Sequence, residues 1–337
     1  MNISVLGRQD LEKVLEMPSV IEGVKSVYKL KAQGKTVVWP LVSYDFEEAK
    51  AVMDIRSGCV FGENLHGLKM LNNFPQNREK GLPPFNGMLM IFDSETGIPL
   101  GVMDAAYITC MRTGAAGAIG AQALARKDAE VLFVLGAGKQ AVYQIAASLI
   151  ALPAIKKVYI ADVLDQKNAE SFAASCPDRL STEFGFDCRN LVFDAVTDLA
   201  KCVGESDVII TITPSRSPVI KKEWVKPGTH FSCIGADMEG KEEIDPQLFA
   251  GAKVYADDRQ QCINVGEMEL PIKSAVIKEA DITGEIGQLL CGQIPGREND
   301  DEITIFDATG LALLDLVTGK RAIDLAKAKS LGIEADI

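Results

Sequence analysis

Basic charge is in short supply in this 337-residue sequence. Its 35 Lys and Arg stand against 47 Asp and Glu, a formal net charge of −12. A nucleic acid or an anionic membrane needs a basic footprint, so both are excluded as expected partners and the acidic balance mostly serves solubility. Histidine is scarce too. The two present, His66 and His230, show no recognisable spacing. A packing or surface role is the simpler reading of each, and a carboxylate-driven mechanism suits the chain better than a histidine-driven one. The eight cysteines include no C-x-x-C pair and no metal-ligand spacing. Scattered in this way they read as small buried apolar residues in a reducing compartment, with no metal expected. The N-terminus, MNISVLGRQDLEKVLEMP, has no basic segment leading into an apolar one. No secretion signal is therefore expected, and the expected location is cytoplasmic. Repeats and low-complexity linkers are absent as well. The length suits two domains, and the hydrophobic content of 47% and charged content of 24% are ordinary for a globular protein.

One stretch comes close to a long apolar run: AAYITCMRTGAAGAIGAQALA, Ala105 to Ala125, with one charge, Arg112, in its middle. Ala and Gly are only weakly apolar, and an arginine at mid-bilayer costs at least about 2.5 kcal/mol. The stretch therefore reads as a tightly packed buried helix. Beyond it, strands are expected at Val131–Gly136, Lys157–Asp162, Arg189–Asp194, Val208–Thr213, Thr229–Gly235 and Lys253–Asp258, with helical patterns such as AVYQIAASLIAL between them. Near-continuous apolar strands are buried on both faces of a parallel sheet, so this part is an α/β, Rossmann-type doubly wound domain. The first 100 residues differ. Helices around Arg8–Val14 and Ser19–Gln33 precede extended segments, and DSETG marks a hairpin turn, which is an α+β pattern. The C-terminal GLALLDLVTGKRAIDLAKAKSLG predicts one or two helices broken at a glycine and packed back on the first domain. The doubly wound unit is thus an insertion.

VLFVLGAGKQA carries the sharpest local signal. Gly136, Gly138 and Ala141 form G-x-G-x-x-A between a strand and a helix. The first glycine permits the tight turn, the second admits a pyrophosphate to the backbone, and the small third residue allows close helix–strand packing. Free N–H groups at the helix start bind the anion. Asp162 ends the next strand, about 20 residues on, where such a site keeps an acid for the ribose hydroxyls. Val163, Leu164 and Asp165 follow, with no arginine to accept a 2′-phosphate. The reading is a dinucleotide site that favours NAD over NADP. Thr213, in TPS after the fourth strand, is either a further cofactor contact or part of a plain proline loop. Asp237, just past the end of the THFSCIG strand, either faces the nicotinamide end of the cofactor or caps a turn. Glu239, Glu242 and Glu243 read as a solvated surface.

MRTGAAGAIGAQALARKDAEVLFVLGAGKQA resembles the junction of the ornithine cyclodeaminase/μ-crystallin family. PGTHFSCIGADMEGKEEIDPQLF resembles its second hallmark, and DITGEIGQLLCGQIPGRENDDEITIFDATGLALLD its third. HGLKMLNNF and DSETGIPLGVMD match its N-terminal half, so the resemblance covers nearly the whole chain. It implies that Arg112 and Lys69 hold the carboxylate of an L-amino acid, with Lys69 and Asp237 catalytic. It also implies that Thr113, Thr309 and Gly310 lie at the nicotinamide side. Residues 1–126 with 311–337 would form a substrate-binding and dimerisation domain, and residues 127–310 the dinucleotide-binding domain of a homodimer. The family's basic residue after an early-strand proline is replaced here by Leu41, and Arg56 is a candidate to supply the missing cation. Arg112 is expected at the start of its helix, either as a substrate fork or in a structural ion pair with an acid of its own domain. The expected reaction is NAD-dependent oxidation of an L-amino acid to an imine with loss of ammonia, as in a cyclodeaminase. The alternatives are an alanine-type dehydrogenase, a cyclic imine reductase, or a non-catalytic binder of the μ-crystallin type.

Overall fold

The structure, a computed structural model, describes residues 2–336. It divides into two compact units, Met1–Arg112 with Leu311–Ile337, and Thr113–Gly310. The first division falls inside a helix, and the sequence-based division after residue 126 lies just beyond that helix's end. The first unit opens with β1 (Asn2–Leu6), α1 (Arg8–Val14) and α2 (Met17–Ala32). Six strands follow: β2 (Thr36–Val38), β3 (Val42–Phe46), β4 (Ala51–Val60), β5 (Leu65–Asn73), β6 (Phe85–Asp93) and β7 (Pro99–Asp104). Then comes α3 (Ala105–Leu124), which starts where Asp104 accepts a hydrogen bond from Tyr107 N at 2.7 Å.

The second unit continues with β8 (Val131–Leu135), α4 (Ala141–Ala151), β9 (Lys157–Ala161), α5 (Gln166–Phe184), β10 (Val192–Ala195), α6 (Leu199–Glu205) and β11 (Val208–Thr211). After these run β12 (Arg216–Ile220), β13 (His230–Cys233), β14 (Glu242–Ile244), β15 (Lys253–Ala256), α7 (Arg259–Val265) and α8 (Glu269–Lys273). The unit closes with β16 (Ile282–Glu285), α9 (Ile286–Leu290) and β17 (Thr304–Asp307). The chain then returns to the first unit through α10 (Ala312–Ala328) and β18 (Ile333–Asp336).

The first unit's sheet has the order β18-β1-β7-β6-β5-β4-β2, with β3 also paired to β4. DSETG forms the β6–β7 turn: Asp93 Oδ1 accepts from Glu95 N and Thr96 N, and Gly97 has φ +71°. Helix α10 is continuous through Gly319, where a break is expected from sequence. A Cβ there would stand 2.6 Å from Leu89 Cδ2 and 2.8 Å from Ile91 Cδ1. The glycine serves close packing of the helix on the sheet.

The second unit's main sheet has the order β10-β9-β8-β11-β13-β17-β15-β16, all of it parallel, and β12 pairs with β14 apart from it. This is the Rossmann-type doubly wound sheet, and its strand order reverses between β8 and β11. Strands β11, β13 and β17 are buried throughout; β11 is nearly all apolar, whereas β13 and β17 also bury His230, Ser232, Thr304 and Asp307. β10 begins at Val192 and not at Arg189, because residues 189–190 form a turn in which Leu191 N donates to Cys188 O at 3.0 Å. Among the described residues no helix is long and apolar enough to cross a membrane.

Candidate functional site

In the first unit, strand alternation turns a lysine inward. Lys69 shares a sheet face with Arg56 and Leu89, its cross-strand neighbours on β4 and β6, and is fully buried. Its Nζ donates to Asp315 Oδ2 at 2.8 Å and to Thr109 Oγ1 at 3.4 Å. Asp315 lies in the first turn of α10 and is fully buried too. Arg112 Nε donates to its other oxygen, Oδ1, at 3.2 Å. Arg112 sits about two turns inside α3, not at its start as expected, because the helix begins at Ala105. The structural ion pair considered for Arg112 does exist. It uses Nε and not the two terminal nitrogens of the guanidinium.

Two buried cations thus share one carboxylate, and a third, Arg56, lies beside them, 4.0 Å from Asp54. Burial is the main reason the Lys69 ammonium falls to about 7. Asp315 pulls the other way, and Arg112 and Arg56 add to the depression. Burial would raise the Asp315 acid, but Arg112 and Lys69 outweigh it and hold the carboxyl below its usual range. The excess of positive charge suits an anionic ligand such as a carboxylate. Sequence reasoning missed Asp315, although one acid inside the apolar run LALLDLV was a visible signal.

In the second unit, β8 ends in the glycine turn. Gly136 has φ +117° and its N–H reaches Ala161 O at 2.8 Å, joining the ends of β8 and β9. A Cβ on Gly138 would meet no atom within 4 Å, so open space lies before that backbone. Ala141 is fully buried at the first turn of α4, and Gln140 makes no side-chain capping bond there. Asp162 follows β9 directly. Its Oδ1 accepts from Leu164 N and Asp165 N, both at 3.1 Å, and its Oδ2 from Asn168 Nδ2 at 2.7 Å. Asn168 also donates to Ala137 O, tying the acid to the glycine turn. An open glycine turn, a helix start without a side-chain cap and an acid at the next strand end fit a dinucleotide.

The other expected residues stand at or near strand ends. Thr213 follows β11, Asp237 follows β13, and Thr309 and Gly310 follow β17. Asp257, buried past β15, accepts from Thr309 Oγ1 at 3.3 Å and Gly310 N at 2.8 Å. Thr113 is buried, and its carbonyl accepts from Gln144 Nε2 at 3.0 Å. Asp237 is partly exposed and paired with Lys241 at 2.5 Å. The solvated surface expected at Glu242 and Glu243 is not there: Glu242 is largely buried and Glu243 wholly so, while Glu239 is exposed. Glu243 is compensated by backbone amides, which a sequence cannot display. His66 stacks on Phe92, and buried His230 lies between Thr304 and Ser232, its pKa pushed down to about 3, mainly by burial. Six of the eight cysteines are buried and all are free. Among the described residues no cluster of three or more His, Cys, Asp or Glu is arranged for a metal ion.

Fold and site together define an α/β protein whose Rossmann-type unit is inserted in an α+β unit holding a buried cation pair. The chain belongs to the ornithine cyclodeaminase/mu-crystallin family, whose model matches residues 1–330. It is 37% identical over 332 residues to an alanine dehydrogenase of Archaeoglobus fulgidus, covering 98% of each chain. Its structure resembles that of an archaeal alanine dehydrogenase dimer with bound NAD, at a TM-score of 0.91 and 35% identity over 100% of both chains. It also resembles the Δ1-pyrroline-2-carboxylate reductase of Thermococcus litoralis, in complex with NADH and L-proline, at a TM-score of 0.90 and 30% identity over 99% of this chain and 100% of that one.

Proposed function

We propose that this chain is an NAD-dependent enzyme of amino and imino acids, which oxidises an L-amino acid at Cα to its imine or reduces such an imine. The observation that carries this reading is the buried Lys69–Asp315–Arg112 group, which has a surplus of cation for a carboxylate. Relatives acting on alanine and on pyrroline-2-carboxylate share that need. Gly136, Gly138, Ala141 and Asp162 would hold the dinucleotide, with Thr113, Thr213, Thr309 and Gly310 as further contacts. A bound nicotinamide supplies the acceptor or donor of a hydride. Arg112 and Lys69 bind and orient the substrate carboxylate, and Arg56 adds a third positive charge on the face that carries Lys69. Asp237 holds or takes a proton at the substrate nitrogen. Water would then add to the imine carbon and release ammonia and a keto acid; a distal amine would add there instead and release ammonia, and the resulting cyclic imine would take the hydride back, so that no NADH accumulates.

A panel of L-amino acids and cyclic imines, assayed for ammonia and NADH separately, tests the reading. Ammonia with NADH identifies a dehydrogenase, ammonia alone a cyclodeaminase, and NADH consumption with a cyclic imine a reductase. No turnover with any of them would leave a binding protein and overturn the proposal.

Lys69 gives the site a pH signature. Above about 7 the free protein loses the Lys69 charge. The Kd of a non-reacting carboxylate analogue should therefore rise about tenfold per pH unit above that point. Lys69→Met should flatten the dependence, and a flat wild-type titration by calorimetry would refute the role. The linked stability term has a definite sign. Between about 7 and 10.5 the unfolded chain binds the proton and the folded one does not, so this group's contribution favours folding more as pH rises through that window.

We further propose a homodimer formed through the first unit. The sheet face opposite Lys69 and Leu89 exposes Met70, Met88 and Met90, and exposed Tyr44 lies on β3, which pairs with β4 farther along the same sheet. An apolar face of this kind marks an association surface. Met88→Glu combined with Met90→Glu should convert a dimer to a monomer by light scattering; a monomeric wild-type protein would sink the idea.

A further inference from the structure

Strand β14 buries a carboxylate completely at Glu243, and its two oxygens serve two different segments. Oε1 accepts from Thr213 N at 2.6 Å and Oε2 from Gly235 N at 3.1 Å. Those amides lie just past the ends of β11 and β13, neighbouring parallel strands whose own ladder has by then run out. One side chain therefore sets the spacing of the two turns that carry Thr213 and Asp237. Gly235 must be glycine for this: a Cβ there would overlap Glu243 Oε2 and stand 2.5 Å from Thr213 O. Glu243 is itself pinned, since Glu267 Oε1 accepts from Glu243 N at 2.7 Å and Ile244 N at 2.8 Å. Lys241, two residues earlier, holds Asp237 and reaches Gly235 O at 3.4 Å. Segment 235–243 is thus held both by its own Lys241 and Glu243 and by Glu267 and Glu269 from outside it.

A carboxylate is the right group for the task. It accepts two amide bonds at once, and charge-assisted bonds of this type are stronger than neutral ones. A glutamine would offer one oxygen and set its NH2 group against the other amide N–H. An apolar side chain here would leave both amide N–H groups buried without an acceptor. We propose that Glu243 is a positioning residue for the reaction proposed above, on which this inference rests: by gripping Thr213 and Gly235 it fixes where Thr213 and Asp237 stand.

The groups facing Glu243 are Glu267 before α8, Asp307 on β17 and Cys233 on β13, none of them a cation. Burial is the main cause that raises the Glu243 acid above its usual range, against the pull of the Thr213 and Gly235 bonds. The clamp is therefore observable in the unaltered protein.

Two measurements test it. In Glu243→Gln, kcat should fall by about 10- to 100-fold, while the substrate KM and the Kd for NADH change less than about threefold. An unchanged kcat, or equal losses in all three, would overturn the positioning role. In wild-type protein, the Thr213 and Gly235 amide resonances should titrate together, with one shared midpoint above the usual carboxylate range. Titration of one amide without the other, or of the two at separate midpoints, would overturn the clamp even if the variant does not fold. An inactive wild type that still shows the shared titration would end the proposed reaction and keep the clamp; an active wild type with an unaffected variant would end the positioning role alone.

Discussion

Arg112→Met should lower kcat/KM for the amino acid by about 10²- to 10⁴-fold and leave the Kd for NADH within about threefold. The magnitude follows from the guanidinium fork. The bond to Asp315 uses Nε, so the terminal nitrogens can take a carboxylate in two parallel bonds. Hydrogen bonds to charged groups contribute roughly 1.5–3 kcal/mol each, and a factor of ten in rate is about 1.4 kcal/mol. The substitution also removes a positive neighbour that depresses Lys69. The Lys69 pKa should rise in the variant, and the pH dependence of carboxylate binding should move up with it. Arg112→Lys keeps a charge near Asp315 and loses the planar fork, so it should recover only part of the activity. Were Arg112 only the partner of Asp315, Arg112→Met would lower Tm, and the activity per folded molecule would hold. Steady-state kinetics beside a thermal melt separates the two outcomes.

The doubly wound unit was legible because its strands are short, apolar and punctuated by glycine, and because G-A-G-K-Q-A follows the first of them. β16 and β17 were not anticipated. ITGE and TIFD are too short to carry a periodicity of their own, and β17 enters the sheet out of chain order, between β13 and β15. Gly319 misled because a glycine in a helical pattern is read as a break, whereas close approach to a sheet uses the same missing Cβ. The site was legible as a list of residues and not as a network. Lys69 and Arg112 were singled out, but Asp315, 203 residues after Arg112 along the chain, joins them only through tertiary packing. Glu243 failed for a related reason. A glutamate in GKEEID reads as solvated unless one sees that two main-chain amides from other strand ends await it.

Asp237→Asn should be the other severe substitution, lowering kcat by about 10²- to 10⁴-fold, the usual worth of a positioned general acid or base. The carboxylate stands just past the end of β13, the end of a parallel strand at which such sheets bind ligands. Lys241 holds it at 2.5 Å through Oδ1, an arrangement that orients the group and still leaves it partly exposed. Asparagine keeps the size and one acceptor oxygen, so it can still meet Lys241, but it cannot take a proton from the substrate nitrogen. Binding should therefore persist while turnover fails: the Kd for NADH should stay within about threefold, and the substrate KM should change less than kcat. Lys241→Met supplies the contrast. It leaves the carboxylate able to accept a proton and removes its anchor, so its loss in kcat should be the smaller one. If Asp237→Asn lost NADH affinity and kcat in equal measure, the aspartate would be holding the loop and not the proton. A loss from Lys241→Met as large as that from Asp237→Asn would point the same way.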